Sequence, residues 1–125
     1  MQKWLMLLAG GVIGTMGRYL LTGAVGRCLG AGFPYGTLAV NTLGCFAAGF
    51  LVTLAEQRAF MTPETRLFWM TGLLGAFTTF SALIYESWLL IRNGELLLAG
   101  ANLLGSLVLG LLALWLGHLA AVNLA

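Results

Sequence analysis

Three groups of uncharged polar residues recur at helical spacing in a chain otherwise poor in polar side chains. Thr37 and Asn41 stand one turn apart and share a face with Gly44 and Cys45. Asn102 and Ser106 repeat that arrangement near the C-terminal end, and Thr78, Ser81 and Tyr85 follow one another with Thr79 and Glu86 on a neighbouring face. Hydroxyls and carboxamide N–H groups donate hydrogen bonds without carrying charge. A path lined by them suits a small, hard anion, because no carboxylate stands mid-path to repel it. Inside a membrane each polar group is costly unless it is paired or faces a wet cavity. Singly, such residues are more often helix glue than ligands; three stripes in so short a chain set glue and pathway level. Arg18 and Glu86 fall near the expected ends of their helices, where snorkelling to the interface and a functional role are equally good readings.

The composition decides what must position these groups. Of 125 residues, 60% are hydrophobic and only 8% charged, against about 25% charged in soluble domains. Such a chain cannot keep a globule's surface in water and belongs in lipid. Six basic and four acidic side chains are scattered singly, so no basic stripe exists for a nucleic-acid backbone. Cys28 and Cys45 form no CxxC pair and read as packing residues. One histidine, His118, makes no metal-catalytic site, and no Gly-x-x-x-x-Gly-Lys loop indicates coupling to ATP. No enzymatic activity is expected.

Charge-free stretches run over 4–17, 28–55, 67–85 and 96–125. A bilayer core needs roughly 20 helical residues, so the sequence predicts an all-α membrane protein, one four-helix domain over 1–125. The expected spans are 3–24, 35–55, 65–91 and 95–120, joined by turns at 26–34, 56–63 and 92–94. Lys3 and the apolar run after it imitate a secretory signal, but the run continues through Ile13 and reads as an uncleaved first span. Thr62-Pro63-Glu64 reads as a helix start, with a threonine cap, proline in the first turn and an acid beside it.

Lysine and arginine in short loops set orientation. Here Lys3, Arg58 and Arg66 on one side are balanced by Arg27 and Arg92 on the other, with Arg18 if it reaches the interface. A balanced chain inserts both ways, and oppositely inserted copies can pair about an axis in the membrane plane. An antiparallel, dual-topology homodimer is therefore expected. Its interface is the natural place for a solute path, since four short helices are too few to enclose one. Small residues supply sticky faces: Gly10, Gly14 and Gly17; Gly36, Gly44 and Ala48; Gly72 and Ala76; Ala101 and Gly105. They specify contact, not chemistry.

The segment 72–81, Gly-Leu-Leu-Gly-Ala-Phe-Thr-Thr-Phe-Ser, is poor helix in the middle of a span. Glycines and hydroxyl residues weaken the backbone ladder and can satisfy it with side chains. A break at membrane depth is tolerated only where the freed backbone is buried or binds something, and a bend used for packing alone remains open on the residues. With Gly14 to Arg18 as a Gly-x-x-x-Arg, the run Gly36-Thr37-Leu38-Ala39-Val40-Asn41, the Thr78-Thr79-Phe80-Ser81 core, Glu86 five residues later and Gly105-Ser106, the chain resembles the CrcB/Fluc family of fluoride channels along essentially its whole length.

The resemblance implies a dual-topology dimer of the bacterial inner membrane. Its two antiparallel pores pass fluoride passively out of the cytoplasm. Asn41 matches the pore asparagine that donates to the anion, and Phe80 the aromatic whose ring edge faces it. Thr79, Ser81 and Ser106 match polar pore-lining positions, and Tyr85 is a further candidate beside them. Arg18 and Glu86 match vestibule residues. Backbone carbonyls of Gly75 and Thr78 match a central sodium site shared by both subunits. One position departs from the family pattern: Leu83 stands where the second phenylalanine is expected. Two other readings are a small proton-coupled cation exporter using Glu86, and a structural subunit whose stripes are glue.

Overall fold

A computed structural model of the protein describes residues 1–58 and 61–124. Helix α1 (Gln2–Leu29) is followed by α2 (Tyr35–Arg58). The third span opens with α3 (Pro63–Arg66), widens into a π-helical stretch (Leu67–Leu74) and closes with α4 (Gly75–Phe77). After a two-residue interruption it resumes as α5 (Phe80–Arg92), and α6 (Leu96–Leu124) completes the chain. Four helices, with Pro63–Arg92 taken as one, are long and apolar enough to cross a membrane.

The ends obey local chemistry. At the start of α3 the Thr62 hydroxyl accepts from Thr65 N at 3.3 Å, with Pro63 and Glu64 in the first turn, as the sequence predicts. Between α5 and α6 the chain turns through Gly94, whose φ of 80° suits glycine. The first span differs from expectation: α1 continues five residues past 24. It stops only where Gly30 takes φ 82° and its N–H caps Gly26 O at 2.9 Å. Arg18 consequently lies well inside α1, and the expectation that it sits at a helix end is corrected. The other spans run one to four residues longer than expected at one or both ends, and residues 59 and 60 of the turn expected over 56–63 lie outside the described residues.

The molecule is apolar on the outside. Large side chains such as Leu97 (87% exposed) and Trp4 (75%) face outward, while the largest fully buried side chains among the described residues are Val40 and Asn102. That inversion suits lipid as solvent, in which close backbone approach drives helix association. Helix α1 packs on the π-helical stretch, with Gly14 against the Leu73 carbonyl, and α2 packs on α6. In the α2–α6 crossing Gly49 meets the Leu114 carbonyl and Gly117 meets that of Phe46. The expected small-residue face on α6 is not used within the chain: Gly105 has open space where a side chain would stand, and Ala101 is exposed.

Candidate functional site

The third span breaks at Thr78 and Thr79, both extended, with φ/ψ of −82°/158° and −151°/115°. Two side chains hold the break open. The Asn41 carboxamide on α2 clamps the Thr79 peptide from both sides. Thr79 N donates to Asn41 Oδ1 at 2.8 Å, and Asn41 Nδ2 donates to Thr79 O at 3.0 Å. The Thr79 hydroxyl caps α5 by accepting from Ala82 N at 3.2 Å. Thr78 folds back on the preceding turn, its N–H and its hydroxyl both donating to Leu74 O at 3.0 and 2.9 Å.

These bonds decide which backbone groups are free. In an unbroken helix the Gly75 carbonyl would accept from Thr79 N, and that of Thr78 from Ala82 N. Both donors are diverted, to Asn41 Oδ1 and to Thr79 Oγ1. The Gly75 and Thr78 carbonyls are thus left as oxygen ligands without a helical partner, the donor set that hard cations take from unwound spans. Gly44 makes the clamp possible, since a side chain there would collide with the Thr78 methyl.

An open groove of about 410 Å³ runs along the break, lined by Asn41, Gly75, Thr78, Thr79, Phe80 and Leu83 among others. Phe80 is 76% exposed, so its ring edge is unpaired within the chain. One Asn41 Nδ2 hydrogen is spent on Thr79 and the amide carries two. Five expected site residues, Asn41, Gly75, Thr78, Thr79 and Phe80, therefore meet. Ser81, Tyr85 and Ser106 do not line this groove. Ser81 and Tyr85 are exposed, while the Ser106 hydroxyl is buried with no partner among the described residues. Leu83 lines the groove, and its carbonyl accepts from Ser87 at 2.7 Å.

A second groove of about 500 Å³ opens beside the first span and brings together Arg18, Arg27, Thr37, Thr79 and Glu86. The Thr37 hydroxyl donates to Glu86 Oε1 at 2.8 Å, and Oε2 is buried without a partner. No ion pair forms among the described residues. Sequence reasoning places Thr37 on Asn41's face without giving it a role, although its distance of one turn is the available signal. Arg27 counts there only as a loop charge. Asn102, expected on the polar stripe, is instead fully buried and donates to Ser87 Oγ at 2.9 Å, tying α6 to α5.

The arrangement offers neutral donors, an aromatic edge and two carbonyls without a helical partner around a break, with a groove holding two guanidinium groups beside it. The family described as CrcB-like protein, Camphor Resistance (CrcB), matches residues 5–118. The chain is 47% identical to the fluoride-specific ion channel FluC of Opitutus terrae, over 99% of this chain and 96% of that one. It is 46% identical to the FluC of Nitrosococcus oceani, over 93% of both, and 43% identical to that of Solibacter usitatus, over 96% and 98%. By this match, which spans nearly its whole length and covers the break, the clamp and both grooves, the chain belongs to the CrcB family.

Proposed function

We propose that this chain is a channel and not an enzyme, passing fluoride down its gradient through the bacterial inner membrane as one four-helix unit paired with an inverted second copy. The clamped break carries the reading: Asn41 fixes the Thr79 peptide and keeps a donor beside the exposed Phe80. The relatives' name, fluoride-specific ion channel, supports fluoride as the ion.

The mechanism rests on the donors. Fluoride gives up water to enter the span. The free Asn41 N–H, the Thr79 and Ser81 hydroxyls and the positive edge of the Phe80 ring replace it. The groove holding Arg18 and Arg27 gathers anions before the narrow part. Ser106 and Tyr85, which stand outside the groove of their own chain, line the path across the interface from the other copy. Leu83 supplies apolar wall only, leaving Phe80 as the one aromatic of the pair. The Gly75 and Thr78 carbonyls fit sodium, and a second copy would bring the same pair to the axis. Bound there, sodium would supply positive charge to offset repulsion between these carbonyls and those of the second copy.

Purified protein in liposomes provides the test. Fluoride efflux that needs only a counter-ion shunt and exceeds chloride efflux by orders of magnitude is the expected result. Vesicles tight to fluoride overturn it. Uptake of a cationic drug driven by a proton gradient would instead make Glu86 a proton carrier.

A further inference from the structure

Behind the Thr37–Glu86 hydrogen bond lies a third groove, of about 360 Å³, at the connection between α1 and α2. Phe33, Pro34, Tyr35, Leu89 and Asn93 line it, and Glu86 is its sole charged lining residue. Arg18 and Arg27 lie on the other side, in the groove that shares Thr22, Thr37 and Glu86 with this one. The Thr37–Glu86 pair is therefore a wall between a guanidinium-lined space and a carboxylate-lined one.

The carboxylate-lined space has the chemistry of a cation site. Glu86 spends Oε1 on Thr37 and has no partner for Oε2, so it keeps unused capacity to accept hydrogen bonds. The Phe33 and Tyr35 rings stand together, with centroids 4.9 Å apart and planes inclined at 54°, offering π faces to a cation's body. The volume is within the range of pockets that hold small molecules. A hydrated metal ion would find a single carboxylate, with Thr22, Thr37 and Asn93 the other polar side chains in an otherwise apolar lining. An ammonium or guanidinium group on an apolar body uses both features.

We propose that this groove binds a small organic cation, whose N–H groups engage Glu86 and whose apolar body lies on Phe33 and Tyr35, and that the occupant, seated at the wall, slows ion passage. The cation is held there and is not carried. The site itself stands independently of the proposed fluoride conduction; only the slowing rests on it.

The probe is benzylammonium, with benzyl alcohol as its neutral counterpart, titrated calorimetrically into the purified full-length protein. Saturable binding of benzylammonium is expected, with benzyl alcohol weaker by about tenfold or more. The double variant Phe33→Leu, Tyr35→Leu keeps the groove apolar. It should bind the amine about fivefold more weakly while its fluoride efflux without amine stays at the wild-type rate. With amine at equal concentration on both sides, wild-type fluoride efflux should fall about tenfold. Equal binding of benzyl alcohol, undiminished binding by the double variant or absence of saturation overturns the site, and unchanged efflux at saturation overturns the plug. Binding retained by a protein that passes no fluoride upholds the site and sinks the channel reading, so the two failures are distinct.

Discussion

At the residue scale the decisive group is the Asn41 carboxamide, which accepts from the backbone N–H of Thr79, donates to the same residue's carbonyl and still has a hydrogen to offer. Aspartate at this position keeps an acceptor for Thr79 N and loses the donor to Thr79 O. It also sets a negative charge on the proposed route of the anion. Asn41→Asp is expected to reduce fluoride efflux by about a hundredfold or more, with the protein still folded by circular dichroism; wild-type currents in that variant would remove Asn41 from the pathway. Thr79→Ala tests a different contribution. Loss of an N-cap hydroxyl costs about 1 kcal/mol, and it returns Ala82 N to the Thr78 carbonyl. Efflux should fall along with thermal stability in detergent.

At the scale of elements, the break, the caps and the four spans are legible in the sequence because each has a local cause. Thr62-Pro63-Glu64 carries its own helix-start signals, and two threonines after Gly75-Ala76-Phe77 weaken the ladder that the Asn41 clamp then opens. Three things are not legible. The extension of α1 to Leu29 depends on which of several glycines turns left-handed, and that is settled by a cap bond at Gly30. For Asn102 glue and pathway are level on the residues, and burial against Ser87 makes it glue, because that partner lies on another helix. The small-residue contact of α6 falls at Gly117 and not at Ala101 and Gly105, since only the meeting with Gly49 brings the two backbones together. This last point predicts that Gly49→Val, which forces a side chain onto the Leu114 carbonyl, destabilises the folded chain by about 1–3 kcal/mol. Gly105→Val should be silent in one isolated chain and harmful only where copies meet, as thermal melts and cross-linking yields would report.

For the whole molecule, the exposed Phe80, the unpartnered Gly75 and Thr78 carbonyls and the open central groove all lie on one side of the break. In the proposed pairing one chain offers half of a lining, and the near balance of loop charges would let an inverted copy insert and supply the other half. Adding two or three lysines to the segment between α1 and α2 should fix one orientation. Such a variant alone is expected to lose fluoride efflux. Co-expression with a variant given lysines between α2 and α3 should restore it. Full efflux from the single-orientation variant would exclude inverted pairing. The proposed interface cannot be read from spacing, because Tyr85 and Ser106 do not join the groove of their own chain, where Ser81 reaches the Thr79 hydroxyl at 3.4 Å.

The π-helical stretch Leu67–Leu74 has its own consequence. A widened turn accommodates one extra residue without rotating the helix beyond it, whereas removing a residue from a regular helix swings every later side chain by about 100°. The third span therefore holds slack in its register. Deleting one residue between 67 and 71 should let the turn tighten while Thr78 still arrives facing Asn41. The same deletion between Asn41 and Gly44 would throw the clamp off its target. A change of one residue in length therefore has a place to be absorbed, upstream of the break and away from the Asn41 clamp.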